Sequence, residues 1–327
     1  MQYRRFGQTN WRVSEVGLGT WGWGGMWGPR DDRATQAVFR RAMELGINFV
    51  DTAYVYGDGL SERLIGQALR ATPRHHDVYI ATKIPPKNMD WPAVPTTPLR
   101  EAFPADWIRA CTERSLRNLG VECIDLQQFH VWTDAWAHEA EWIAAVQRLK
   151  REGKIRAFGV SINDHEPESA VALVRSGQIE AVQVIYNVFD QQPAEALLPL
   201  CQAHDVGVIA RVPFDEGGLT GTLTPETTFP RDDWRRDYFT RERLRFTVER
   251  VERLRPLLLR GEVTTVAHGA LTFCLSHPTI STVIPGMRTV AHVEDNAGVS
   301  TGRYYTAEEL VRLKAHAWPK NFYAGIW

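Results

Sequence analysis

Four residues in the N-terminal part of this 327-residue chain, Asp51, Tyr56, Lys83 and His130, carry side chains that could do acid–base chemistry together. A lysine ammonium beside a phenol favours the phenolate and lowers the phenol's pKa, while a carboxylate pairs the lysine and keeps it charged. A tyrosine in that setting is fitted to act as a general acid. A neutral histidine next to it can donate a hydrogen bond to a carbonyl oxygen and stabilise the alkoxide that develops there. Each residue also has a plain structural reading when taken singly. Asp51 could cap the turn that follows it, Lys83 could be a solvated strand end, His130 could satisfy a backbone carbonyl, and Tyr56 could be a wall.

The elements that must bring these four together are legible as short apolar strands alternating with amphipathic helices. The strands are VGLGT from Val16, INFVDT from Ile47, VYIATK from Val78, IDLQQFH from Ile124, RAFGVS from Arg156, AVQVIY from Ala181, GVIARV from Gly207 and STVIP from Ser281. Helical faces lie between them, such as Ala34, Ala37, Val38, Ala42 and Leu45, or Trp107, Ile108, Cys111, Ser115, Leu116 and Leu119. Glycines 46, 120, 153 and 177 stand where left-handed helix stops are expected. Eight such repeats predict a (β/α)8 barrel over residues 1–327 as one domain, led by a short hairpin of residues 3–6 and 12–13 around a Gln-Thr-Asn turn. Alternation by itself also allows an open doubly wound sheet as the lesser alternative, and the residue chemistry must separate the two. In a barrel the chemistry gathers at the C-terminal strand ends. Asp51, Lys83 and His130 end the second, third and fourth strands, and Tyr56 lies five residues past Asp51. Strand ends about 5 Å apart let all four converge.

Gly17-Leu18-Gly19-Thr20-Trp21-Gly22 matches the G-x-G-x-x-G dinucleotide pattern but runs into WGGMWGPR, which is too rich in Gly and Trp to open a helix. The segment is read instead as a barrel strand ending in an aromatic loop.

DTAYVYG, VYIATK and DLQQFH, in that order and spacing, resemble the aldo-keto reductase family, as do VGLGTWGWGG, REGKIRAFGVS, GGLTG and VIPGMRT with Asn296. The resemblance implies a barrel with an extended NADP(H) across its mouth, aldehydes or ketones as substrates, and Asp51, Tyr56, Lys83 and His130 as the catalytic tetrad. Carried over residue by residue, it places Ser161 and Gln183 on the nicotinamide carboxamide. Ile162 stands where the family has Asn, so a contact from Asn163 is not expected. Arg211 replaces the aromatic that stacks under nicotinamide, and either stacks there itself or swings away to pair with Asp215 or Glu216. Thr20, Trp21, Pro213 and Pro285 complete that end, and Gly217, Gly218, Leu219, Thr220 and Gly221 match the stretch over the pyrophosphate. Gly286, Met287, Arg288, Thr289 and His292 fall at the 2'-phosphate, where Arg288 argues for NADP over NAD, and Asp295 and Asn296 at adenine. Trp21, Trp23, Trp27, Trp132 and Phe214, all in loops after strands, are expected to line the substrate pocket. The aromatic tail from Trp318 to Trp327 is left either against the barrel or over the pocket.

A formal net charge of -1 gives no global field for nucleic acid or an anionic membrane. Cys111, Cys123, Cys201 and Cys274 are scattered, form no CxxC pair and suggest reduced thiols, and no metal-ligand pattern is present. The chain has no apolar run suited to a signal peptide or a membrane span, so a cytoplasmic enzyme is expected. Two other readings share the scaffold. One is an NADP(H)-binding redox sensor or regulatory subunit, similar to the potassium-channel β subunits. The other is an isomerase or aldolase using Lys83 as a Schiff base, which leaves Asp51 and Tyr56 without roles.

Overall fold

The computed structural model describes residues 1–28, 31–72, 77–324 and 326. Eight parallel strands, β1 (Leu18–Gly19), β2 (Phe49–Asp51), β3 (Tyr79–Ile84), β4 (Ile124–Phe129), β5 (Ile155–Ser161), β6 (Ala181–Ile185), β7 (Gly207–Arg211) and β8 (Ile280–Val283), pair in sequence order. The sheet then closes on itself. The Gly17 amide donates to the Val283 carbonyl at 2.8 Å and the Val283 amide to that of Glu15 at 2.9 Å, with parallel bridges from Val16 to Val283 and from Gly19 to Gly286. Register sets the strand ends level: Gly19 lies beside Asp51, Asp51 beside Ala81, and Lys83 beside Gln128.

Helices α1 (Asp32–Glu44), α2 (Leu60–Ala71), α3 (Ala105–Leu119), α4 (Ala140–Arg151), α5 (Val171–Ser176) and α6 (Leu197–Ala203) follow the first six strands, and α7 (Arg241–Leu258) and α8 (Val266–Leu275) lie between β7 and β8. Helices α9 (Val290–Gly298) and α10 (Ala307–Lys314) come last. Each helix packs one stripe against the sheet, as Val38, Phe39 and Ala42 do in α1 and Ile108, Cys111, Ser115 and Leu119 in α3. The expected glycine stops hold, with φ of 84° at Gly46, 68° at Gly120, 70° at Gly153 and 69° at Gly177, all in the left-handed region. The G-x-G-x-x-G segment passes from β1 into a 3-10 turn at Trp21–Trp23, and the first α-helix starts only at Asp32, so no helix N-terminus stands at that motif.

The hairpin Tyr3–Phe6 and Trp11–Ser14 covers the N-terminal end of the barrel. Its Phe6, Trp11 and Val13 pack into one cluster with Phe49, Ala81, Leu126, Ala157, Ala181 and Ile209, so the base is a filled apolar core. Beside it Glu15, wholly buried, accepts from Arg4 Nε at 2.9 Å, Ser300 Oγ at 2.8 Å and Tyr304 Oη at 2.7 Å. The polar strand ends are thereby left to the opposite mouth. Among the described residues, no helix is long and apolar enough to cross a membrane.

Candidate active site

Asp51, Tyr56, Lys83 and His130 meet at the C-terminal ends of β2, β3 and β4. The Lys83 ammonium, wholly buried, donates to Asp51 Oδ2 and to the Thr52 carbonyl, both at 2.7 Å, and lies 3.5 Å from the Tyr56 hydroxyl. The second Asp51 oxygen accepts from Gln183 Nε2 at 2.7 Å, which ties the pair to β6. His130 follows β4 and its amide donates to the Ile84 carbonyl at 2.9 Å; its ring stands edge-on to Tyr56 with centroids 5.8 Å apart. The loop carrying Tyr56 is pressed by the loop after β1, where Gly24 lies so close that a Cβ there would sit 2.8 Å from the Tyr56 carbonyl carbon.

Burial pushes the Tyr56 phenol well above its usual range, the Asp51 carboxylate adds to this, and Arg211 pulls the other way. The expected depression by Lys83 is not what the structure gives. At 2.7 Å from Asp51 and 3.5 Å from Tyr56, the ammonium is largely neutralised as the phenol sees it. Lys83 itself is lowered by burial, against the Asp51 carboxylate. His130 is held well below its ordinary value by burial, Lys83 and Arg211, so it is neutral at pH 7, as the sequence suggests. The set therefore stores one proton on a phenol and offers a neutral imidazole beside it.

A cavity of about 1050 Å³ opens at these strand ends. Tyr56, His130, Ser161, Gln183 and Arg211 line one region of it, and Gly286, Arg288, His292, Asp295 and Asn296 another. Thr20, Trp21, Trp27, Pro213 and Phe214 are also on its surface, with Thr220 and Gly221. Lys83 stands behind this surface. Gly218, Leu219, Pro285, Met287 and Thr289 are not on the cavity wall: Leu219 and Met287 are wholly buried, and Thr289 caps α9 by accepting from the His292 amide. Two of the tryptophans expected at the mouth lie elsewhere. Trp23 is buried with its indole N–H on the Met287 carbonyl at 2.8 Å, and Trp132 packs among Phe129, Trp136 and Trp142 because the chain dives into a 3-10 turn after β4. Trp91, in the long loop after β3, takes the place beside His130, with ring centroids 4.8 Å apart, and no motif in the sequence marked it.

Arg211 pairs with Asp164 at 2.7 Å and donates to the Ile162 carbonyl at 3.0 Å, a partner other than the Asp215 or Glu216 weighed from sequence. The Asn163 side chain is taken up by the backbone of Ala93, at 3.1 and 2.8 Å, and by Glu166 at 2.7 Å. Asp295 pairs with His268 at 2.9 Å. Past Arg211 the backbone is strained, with Val212, Asp215 and Glu216 at φ of 54°, 48° and 57°. Such positions cost about 1–3 kcal/mol each and cluster at functional sites. The tail is both packed and wall-forming: the Trp318 amide donates to the Phe189 carbonyl at 2.8 Å, Lys320 pairs with Asp215 at 2.5 Å, and Asn321, Tyr323 and Ala324 face the cavity. Trp327 lies outside the described residues.

A nicotinamide dinucleotide suits this wall. His130 Nδ1 and Arg211 Nε are buried with no hydrogen-bond partner among the described residues, the Ser161 hydroxyl and the Gln183 amide stand by them, and a Cβ at Gly286 would meet nothing within 4 Å. No group of His, Cys, Asp and Glu among the described residues could hold a metal ion.

Fold and site together define a closed (β/α)8 barrel with a buried lysine–carboxylate pair under a tyrosine and a histidine at its C-terminal mouth. Residues 15–317 match the model of the Aldo/keto reductase family, and the chain belongs to that family. It is 31% identical over 300 residues, covering 90% of this chain and 87% of the relative, to the aldo-keto reductase YhdN of Bacillus subtilis strain 168. To the NADH-specific methylglyoxal reductase of Escherichia coli K12 it is 30% identical over 300 residues, 89% of this chain and 90% of the relative. The structure of an aldo-keto reductase from Klebsiella pneumoniae in complex with NADPH superposes with a TM-score of 0.70 at 26% identity, covering 98% of this chain and 97% of that one. Membership makes the protein an oxidoreductase of carbonyl and alcohol substrates.

Proposed function

We propose that this protein is an NADP-dependent reductase of small aldehydes or ketones in which Tyr56 delivers the proton. The observation that carries the reading is the Tyr56 hydroxyl at 3.5 Å from Lys83, on the wall of the same cavity as a neutral His130 whose Nδ1 is buried without a partner. NADPH, when bound, supplies the hydride. Tyr56 keeps its proton at neutral pH and gives it to the carbonyl oxygen as negative charge develops there. His130 orients that oxygen by a hydrogen bond. Lys83, held by Asp51 and the Thr52 carbonyl, supports the phenolate that Tyr56 becomes, and Gln183 fixes Asp51. Ser161 and Gln183 are proposed to hold the carboxamide, Arg211 to lie by the nicotinamide, and Asn296 to face adenine.

Arg288, on the cavity wall next to the capped start of α9, supports NADP over NAD, as does the relative from Klebsiella pneumoniae in complex with NADPH; the Escherichia coli relative carries the opposite preference in its name. The test is oxidation of NADPH and of NADH with a panel of aldehydes. NADPH is expected to support turnover and to bind more tightly, and Arg288→Ala to weaken NADPH alone by about tenfold to a hundredfold, the value of a charge-assisted contact. Bound NADPH with no aldehyde or ketone reduced would favour the redox-sensor reading instead.

A further inference from the structure

Just past Arg211, the loop after β7 brings a second carboxyl group to the cavity that holds Tyr56. Glu216 is 4% exposed, and one of its oxygens accepts from the Tyr323 hydroxyl. Its other oxygen has no hydrogen bond to a described residue, and both Glu216 and Tyr323 line the cavity. Tyr56 lines the same cavity, so the two share one chamber.

Burial pushes Glu216 up to about 8, with Asp215 and Asp164 adding to this and Tyr323 and Arg211 opposing it. At pH 7 it is a neutral acid that can donate one hydrogen bond and accept another. Arg211, the cation on this part of the wall, has its charge balanced by Asp164 at 2.7 Å, which lessens its pull on an anionic substrate group. Trp91 beside His130, and Trp21 with its ring centroid 6.4 Å from that of Tyr56, add flat apolar faces. A neutral donor–acceptor pair with aromatic faces suits an alcohol group on a small carbon skeleton better than an anion or a bare alkyl chain.

The pair is also rigidly built. Asp215 accepts from Lys320 at 2.5 Å and from the Tyr238 hydroxyl at 3.0 Å, and Arg243 donates to the Phe322 carbonyl at 3.0 Å. Both sides of the contact are thus held from outside the cavity, and the backbone at Asp215 and Glu216 is left-handed where the carboxyl reaches the cavity wall.

We propose that Glu216 and Tyr323 form a hydroxyl-recognition subsite, so that the preferred substrate is a small, uncharged carbonyl compound bearing a hydroxyl group near the reacting carbon. The inference rests on the reductase reading above. A site built to hydrogen-bond a substrate hydroxyl discriminates against the analogue lacking it, because its own polar groups are then left unpaired.

The test compares kcat/KM for glyceraldehyde and propanal, corrected for the hydrated fraction of each, with the holoenzyme. Glyceraldehyde is expected to be favoured by at least about tenfold. That ratio should collapse in Tyr323→Phe and in Glu216→Leu, and Glu216→Gln, which keeps a donor and an acceptor, should retain most of it. A ratio near one in the wild type, or one unchanged in Tyr323→Phe, overturns the subsite while leaving the reductase intact. Should Glu216→Leu fail to fold, Tyr323→Phe decides. Reduction of neither aldehyde, nor of any other carbonyl, with either cofactor overturns the reductase reading and this inference with it.

Discussion

A phenol that faces a bare ammonium loses its proton more readily; one that faces an ammonium already shared with a carboxylate keeps it. Tyr56 is in the second position and keeps its proton; in the proposed reaction this shifts the work of Lys83 to the moment after transfer, when the phenolate needs a counter-charge. Tyr56→Phe retains the ring and the wall, so NADPH should still bind while turnover falls by about 100-fold to 10,000-fold, read by fluorescence titration and steady-state rates. Near-wild-type turnover would end the mechanism. His130 gives a stability signature. Its folded pKa lies well below the unfolded value of about 6.5, so as pH falls through 6.5 the unfolded chain takes up a proton that the folded one refuses, and stability is lost. Urea denaturation should show this slope in the wild type and a shallower one, by up to about 1.4 kcal/mol per pH unit, in His130→Gln. Equal slopes would mean that the imidazole is not held neutral. These four residues were legible in the sequence because each stands at or just past a strand end with its own local pattern. The neutralising distance between Lys83 and Asp51, and the pairing of Arg211 with Asp164, depend on which loops touch, and no local pattern records that.

Loops lying against loops decide how well those residues are placed. Gly24 is the plainest case: a methyl group there would come within 2.8 Å of the Tyr56 carbonyl carbon and 2.9 Å of the Gly57 nitrogen, both backbone atoms that cannot swing aside. Gly24→Ala should displace Tyr56 and lower kcat by about 100-fold, the penalty for an ångström of misplacement. Wild-type kcat in that variant would show that the two loops adjust independently. At this scale sequence reading succeeded for strands and helix stops, where hydrophobic period and glycine have direct backbone meaning. It placed the tryptophans less well. Trp132 and Trp23 follow strands just as Trp21 and Trp27 do, yet the 3-10 turn Asp134–Trp136 and the Met287 carbonyl draw them inward. Trp91 and Tyr323 face the cavity from a loop and a tail whose paths are set by tertiary packing.

Over the whole molecule, the barrel depends on its two ends meeting. Glu15 takes hydrogen bonds from Arg4, Ser300 and Tyr304 with no exposure of its own, and Arg4 reaches on to the carbonyls of Leu275 and Ile280. Glu15→Ala strips a partly buried guanidinium and two hydroxyls of an acceptor and should cost about 1–3 kcal/mol, seen as a lower urea midpoint at unchanged m. A loss under 1 kcal/mol would mean that water replaces the carboxylate without penalty.

The closure between Val16 and Val283 carries a further consequence, for the order of events during synthesis. A strand near the start of the chain pairs with one made only after some 260 residues have followed, at the slow, long-range end of folding topologies. On the ribosome β1 waits with one edge unpaired, and the hairpin has only part of its ring of strands to cover. Completion is therefore a single late event, and a chain cut short before Ser300 lacks the two hydroxyls, of Ser300 and Tyr304, that hold Glu15 in place.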